Sequence, residues 1–507
     1  MAGKSVKKNT AEKSARKKGR GNLIIVSNRL PYTRGGANGE DFLWQKSTGG
    51  LITAMEPILL SRRGTWVGWD GMVDRSPDKA RPRILDVKSI RTSEKKPRTE
   101  GSYGILCVPV SEKEVKEYYD DFSTGTLWGL FHYFFEKCRV DSRAWKTYCS
   151  VNRRFARYIS EIAGDEDVVW VQDFHLFMVP HYLRALRPRQ KIHFFLHIPF
   201  PHTDILDILP WQPEILGSLL ECDTVGFHHE QYLRNFREAV EKYREGLKEG
   251  AVITGEKDLT PEKPRKTFFY ANPISIDFDL IDSTSRKAAV IERRDEIRRQ
   301  AGCEKILLGV DRIDYSKGIA ERLEGIKLLL ESHPELSEKI FYYQLVIPSR
   351  ENVKEYKALK RKIDELIGQI NGRFSTGLWA PVHYNYGTVD LNELVALYMA
   401  ADVALVTPLR DGMNLVCKEF VAARSDGDGV LVLSKFAGAI AEIKNCLPVN
   451  PYSVEDIADV VYRALNLPEE ERRLRMGRMR MNIKGNNIAG WLQKCLEYFD
   501  IAQRGKE

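Results

Sequence analysis

One unit recurs along the chain: a short apolar run, a polar or charged residue just past its end, then helical periodicity. It appears at residues 22–27, at 168–172 before Asp173, at 191–196 before His197, at 224–228 and at 266–270. It starts afresh at 305–310 before Arg312, at 342–347 before Arg350, at 382–386, at 403–406 and at 429–433. Apolar runs of this length suit strands buried on both faces, and helices alternating with them imply parallel sheets of the doubly wound α/β class. A chain of 507 residues exceeds what one core supports, and domains of ~100 to 200 residues predict two or three. The break at Asn272-Pro-Ile-Ser-Ile276 separates the two series. Helices are expected over 142–163, from 228 to about 249, over 284–301, 319–332, 353–370, 391–401 and 413–424, and through a long charged end at 453–504.

Ligands of open α/β sheets bind outside the carboxyl ends of the strands, so the residues there form the candidate site. The sharpest case is Thr407-Pro-Leu-Arg-Asp-Gly-Met-Asn-Leu-Val-Cys-Lys-Glu419, set between a strand and the helix expected from Met413. The first amides of a helix lack partners and carry partial positive charge, so Gly412, Met413, Asn414 and Leu415 should face an anion, most naturally a diphosphate. Asp411 and Glu419 bracket that site as acceptors for hydroxyls, one set on a sugar and one on a ribose. An anion cradle between two carboxylates suggests a nucleotide sugar. Arg312 and Lys317, two cations separated by a turn at a strand end, suit a leaving diphosphate because they offset charge as a glycosyl bond breaks.

Asp173 and His197 end consecutive runs in the first half. Gly49-Gly50 at a loop-to-helix junction would let amides approach a phosphate or sugar. Trp66 to Trp69 ends a strand, and Tyr118 to Trp128 places aromatics in a short span before a helix, where they could act as platforms for sugar faces. Residues 72–100 are charged and proline-bearing and read as a surface excursion. Neither G-x-G-x-x-G nor G-x-x-x-x-G-K-[ST] occurs, which argues against a dinucleotide dehydrogenase and a P-loop kinase.

The net charge of +8 sits in the tail: residues 1–20 hold eight Lys or Arg against Glu12, leaving the body near +1. A nucleic-acid partner is therefore not expected, and the tail reads as a disordered solubilising leader. No uncharged apolar run approaches ~18 residues and no apolar segment follows the basic start, so neither a membrane span nor a signal peptide is expected. The eight cysteines show no metal-ligand spacing and read as reduced core thiols of a cytoplasmic protein.

Val26-Ser-Asn-Arg-Leu-Pro31, Gly49-Gly50, Trp66-Val-Gly-Trp69, the span from Tyr119 to Trp128, Gln172-Asp-Phe-His-Leu176, His197-Ile-Pro-Phe-Pro201, Arg312-Ile-Asp-Tyr-Ser-Lys-Gly318 and Thr407 to Val416 stand in an order that resembles the trehalose-6-phosphate synthases, over nearly all of residues 22–500. The resemblance implies a GT-B fold, two Rossmann-like domains facing a cleft. Its parts would be a tail at 1–21, an acceptor domain at 22–276, a nucleotide-sugar domain at 277–480 and a final helix at 481–507 crossing back to the first domain. It implies transfer of glucose from UDP-glucose to glucose 6-phosphate with retention, by front-face substitution in which the leaving phosphate oxygen takes the acceptor proton. Carried over by position, His197, Arg312, Lys317 and Asp411 would be catalytic. The donor would meet Gly50, His197, Arg312, Lys317, Val389, Asp411, Gly412, Met413, Asn414, Leu415, Val416 and Glu419. The acceptor would meet Arg29, Trp69, Tyr119, Trp128, Asp173 and Arg350, with Trp69 and Trp128 as ring platforms. Arg29 and Arg350 suit a dianionic phosphate independently.

No metal and no cofactor is expected, since the two cations take the metal's part and no Asp-x-Asp ends a suitable strand. Gln172 and Phe174 depart from the family's more usual His and Tyr. The Asp204 to Trp211 run is also similar to glucosylglycerol-phosphate synthases, which use glycerol 3-phosphate, and that acceptor stays as the alternative. A catalytically silent sugar-phosphate binder would have lost one of Arg312, Lys317, Asp411 or Glu419, and all four are present. UDP, GDP and ADP are open as the donor nucleotide on the sequence alone. A separate phosphatase acting on the product and a homo-oligomer are further expectations.

Overall fold

The computed structural model describes residues 21–35, 43–46, 50–62, 64–90, 92, 101–248, 266–350 and 353–504. The basic tail and the Ser47 to Gly49 part of the glycine junction lie outside the described residues.

The first half builds an eight-stranded sheet from β1 (Leu23–Arg29), β4 (Thr65–Trp69), β5 (Ile84–Asp86), β6 (Gly104–Cys107), β7 (Val168–Gln172), β8 (Lys191–Phe195), β9 (Thr224–Phe227) and β10 (Phe268–Ala271), in the order β10-β9-β8-β7-β1-β4-β6-β5. All neighbours are parallel except β5 against β6. The stretch read as a surface excursion thus contributes an antiparallel edge strand. A hairpin of β2 (Tyr32–Gly35) and β3 (Leu43–Lys46) lies beside the end of β1. The second half forms a six-stranded parallel sheet from β11 (Lys305–Arg312), β12 (Ile340–Ile347), β13 (Val382–Tyr386), β14 (Val403–Val406), β15 (Val430–Ser434) and β16 (Leu447–Val449), in the order β13-β12-β11-β14-β15-β16. Val403 to Val406 and Val430 to Ser434 are buried at every position, as strands covered on both faces must be.

Two sequence expectations change here. The helix expected over 284–301 is two helices, Phe278–Ser285 and Ala288–Ala301, because Lys287 is extended. The Tyr118 to Trp128 span does precede a short helix, Gly129–Phe131, but Val115–Trp128 is itself π-helical, with Tyr118 and Trp128 buried and Tyr119 half-buried.

The last helix, Ile488–Arg504, lies against the first sheet rather than the second. The Trp491 ring stacks on Trp170 at 5.7 Å, and Phe499 meets Trp170 edge-on at 5.1 Å. Asn272 and Trp491 exchange two hydrogen bonds, of 2.9 and 3.0 Å, at the link between the halves. No helix among the described residues is long and apolar enough to cross a membrane.

Candidate active site

The carboxyl ends of the two sheets face one another, and polar side chains close the gap. At the end of β1 the pairing with β4 shifts between Val26 and Arg29. Ser27 Oγ donates to the Arg29 carbonyl (2.6 Å) and accepts from the Trp66 indole (2.7 Å), while Asn28 Oδ1 accepts from Tyr118 (2.8 Å). These bonds turn Arg29 out over the Trp69 ring, 3.8 Å from its centre and 5.8 Å from that of Tyr119.

Arg350, three residues past β12, holds a left-handed φ of 50° that aims its guanidinium over Trp128 at 4.5 Å. It donates to Tyr356 and, at 3.4 Å, to Asp314 Oδ2. Asp314 also accepts from Tyr356 (2.8 Å) and from the Trp128 indole (3.3 Å), which reaches across from the first half. Burial opposes the Asp314 charge, but Arg350 and Lys317 outweigh it and hold the carboxyl below the usual range. Both indoles are therefore buried, each with a guanidinium on its face. The expectation of open ring platforms at Trp69 and Trp128 is corrected: cation–π attraction makes them seats for arginines.

Tyr119 shares this corner, stacked on His175 at 5.7 Å. Burial would raise its phenol, yet Arg350, Arg29 and Arg312 together hold it below its ordinary value. Guanidiniums from the ends of β1, β11 and β12 thus all act on the Tyr119 phenol. Arg312 is exposed, and its guanidinium bonds to no described residue.

On the donor side Lys317 donates to Asp411 Oδ2, and Asn414 Nδ2 joins the same oxygen at 3.1 Å. Burial pushes the Asp411 carboxyl up, and Lys317 with Arg312 pulls it below the ordinary range. The helix expected from Met413 begins later, over Val416–Ala423, because Asn414 sits at a φ of 71° and Leu415 is its N-cap. Gly412, Met413, Asn414 and Leu415 are a loop, pinned by Gly438 N–H to the Asp411 carbonyl (3.1 Å) and by Ala439 N–H to the Met413 carbonyl (3.0 Å). The amides of Gly412, Met413, Asn414, Leu415 and Val416 bond to no described residue, so the open donors survive the correction. Glu419 accepts from Tyr398 at 2.9 Å, and burial raises its carboxyl. Val389 is half-buried in the loop after β13, and Gly50 opens the helix Gly50–Arg62.

Asp173, at a φ of 72°, ends β7 and accepts from the His197 N–H at 3.2 Å. Burial lifts its carboxyl to about 6 against the pull of neighbouring amides and of Arg312 and Arg350. The His197 ring is held between Gln172 Oε1 (2.9 Å from Nε2) and His228 Nε2 (3.2 Å from Nδ1), and burial lowers it to about 3. Buried His132, lowered to about 4 mainly by burial, lies tilted against Trp128 with ring centres 4.0 Å apart.

Sequence reasoning passed over Asp314, Tyr356 and His132. Asp314 lies inside the Arg312 to Gly318 motif and carried a signal, as the one carboxylate between two proposed cations; Tyr356 and His132 carried none.

The family model described as glycosyltransferase family 20 matches residues 21–501. The trehalose-6-phosphate synthase of Mycobacterium avium (strain 104) is 41% identical over 485 residues, covering 94% of this chain and 95% of that protein. The solved α,α-trehalose-phosphate synthase (UDP-forming) of Burkholderia vietnamiensis superposes with a TM-score of 0.82 at 31% identity, covering 96% of this chain and all of the other. The corresponding enzyme of Burkholderia xenovorans, solved in complex with glucose-6-phosphate, gives 0.80 at 30% identity, over 95% of this chain and 100% of that one.

Proposed function

Because the chain belongs to glycosyltransferase family 20, we propose that it transfers glucose from UDP-glucose to glucose 6-phosphate, giving α,α-trehalose 6-phosphate and UDP with the anomeric configuration retained. The observation that carries this reading is the convergence of Arg29, Arg312 and Arg350 beside a pinned loop of open amides. Arg29 and Arg350 suit a phosphate monoester, and Arg312 with the loop amides suits a diphosphate, so the cleft takes two anionic substrates at once.

Arg29 and Arg350 hold the acceptor phosphate, fixed in orientation by the Trp69 and Trp128 faces beneath them. Tyr119 and Asp173 take the acceptor's hydroxyls. The amides of Gly412 to Val416 and the cations Arg312 and Lys317 receive the diphosphate. Glu419 takes the ribose, with Val389 and Gly50 lining the donor. Asp411 and His197 take hydroxyls of the donor glucose. The bond from C1 of the donor to the diphosphate oxygen breaks, the acceptor's anomeric oxygen bonds to C1 on the same face, and its proton passes to the departing phosphate oxygen. Charge grows on that oxygen, and Arg312 and Lys317 offset it in place of a metal ion.

Lys317 in the resting site is paired with Asp411, whereas the Arg312 guanidinium bonds to no described residue and awaits an anion. Arg312→Ala should therefore lower kcat by about 10² to 10³ with an unchanged melting temperature. Near-normal turnover would contradict the diphosphate assignment. The product keeps its phosphate ester, so a separate phosphatase is the class of enzyme that would consume it.

A further inference from the structure

The Ile274 peptide N–H, in the link between the halves, donates to His228 Nδ1 at 3.3 Å. An amide nitrogen has only a proton to give, so that ring nitrogen is an acceptor. Neutral His228 then carries its hydrogen on Nε2, which faces His197 Nδ1 at 3.2 Å and donates to it. His197 Nδ1 is thereby an acceptor too, and its hydrogen lies on Nε2, pointing at Gln172 Oε1 at 2.9 Å. Gln172 Nε2 faces the Trp170 carbonyl at 3.5 Å, which leaves Oε1 as the atom turned to the histidine. Along these four groups donation runs in one direction, with the Asn272 backbone a further hydrogen-bond partner of the His228 ring. Burial lowers both imidazoles well below neutral pH, with His197 and Lys418 adding to the effect at His228, so neither ring is charged.

We propose that His228 and the Ile274 amide are positioning residues that hold His197 as the neutral Nε2–H tautomer, making its ring a hydrogen-bond donor to an oxygen of the donor glucose. The idea rests on the reading of His197 as a contact of the donor sugar. Gln172 Oε1 holds the hydrogen when the site is empty, and a sugar oxygen replaces or shares it. The same linker residue reaches the other domain: the Ile274 carbonyl accepts from buried Lys418 Nζ at 2.8 Å, and Lys418 also pairs with Glu442 at 2.6 Å. Lys418 adjoins Glu419 at the start of the helix that follows the donor loop. One residue, through its N–H and its carbonyl, thus ties the donor loop of the second half to the histidine pair of the first, and sets ring and loop in one geometry.

The test uses the full-length enzyme labelled with 15N in its histidine rings, without substrate, with the His197 signals assigned by their loss in His197→Gln. The expected spectrum shows His197 with a protonated Nε2 and a bare Nδ1. A proton on Nδ1, or on both nitrogens, would overturn the relay. In His228→Gln the side-chain amide keeps a donor toward His197, so the tautomer and kcat/KM for UDP-glucose should persist. In His228→Leu the donor is gone; kcat/KM for UDP-glucose should fall about tenfold, the worth of one oriented hydrogen bond, while KM for glucose 6-phosphate stays within about twofold. Equal losses in both variants, or none in His228→Leu, would refute the assignment. Should His228→Leu fail to fold, the wild-type spectrum decides alone. The ring measurement needs no substrate, so a wrong tautomer sinks the relay whatever the reaction, and absent glucosyl transfer in the wild type sinks the reaction and not the relay.

Discussion

Gly412 of the second half is pressed against the His197 carbonyl of the first: a Cβ at Gly412 would lie 2.2 Å from that oxygen and 3.0 Å from Ile198 Cα. On its other side the Gly412 carbonyl packs on Gly438, where an added Cβ would sit 2.0 Å away. Both neighbours are backbone and cannot swing aside, so the donor loop reaches the turn after β8 only because residue 412 has no side chain. Gly412→Ala should hold the halves apart, cutting kcat/KM by more than about a hundredfold, since a misplacement of ~1 Å at a reacting centre costs that much. Each half keeps its own sheet, so steady-state kinetics should collapse while the melting temperature moves by only a few degrees. Wild-type turnover in this variant would contradict a closed working cleft.

Asp173 gives a stability test without substrate. Its folded carboxyl titrates at about 6, above the ordinary value of ~3.9. The native state therefore holds a proton that the unfolded chain has already released, and stability declines as pH rises from about 4 to 6, then levels. Asp173→Asn removes the effect. Relative to the variant, the wild type should lose about 3 kcal/mol across that window, read from denaturant titrations at a series of pH values. A constant difference between the two proteins would place the carboxyl elsewhere.

Arg29 and Arg350 each need a planar guanidinium, to lie on an indole and to fork onto phosphate. Arg29→Lys keeps the charge and loses both geometries. KM for glucose 6-phosphate should rise about ten- to a hundredfold, with KM for UDP-glucose little changed. A rise in both constants would mean that Arg29 shapes the whole cleft rather than one subsite.

The strand ends were legible where a strand is a short, mostly apolar run and chemistry concentrates where it stops; Arg312 at the end of β11 and Arg350 past β12 needed nothing more. The start of the helix at Val416 was hidden by Asn414, whose side chain tolerates the left-handed region and thereby delays the helix by three residues. The indoles were misjudged for a different reason. Trp128 binds Asp314, 186 positions away, and no periodicity reports a partner at that distance. The same holds for Ile274 and His228, which meet only once β9 and β10 are paired.

The decisive measurement supplies the purified enzyme with UDP-glucose, glucose 6-phosphate and glycerol 3-phosphate together and identifies the phosphorylated products by mass. Trehalose 6-phosphate is expected as the main product, with UDP released in equal amount. Glucosylglycerol phosphate as the main product would contradict it, leaving the donor half of the cleft in place and overturning the assignment of Tyr119 and Asp173 to a hexose.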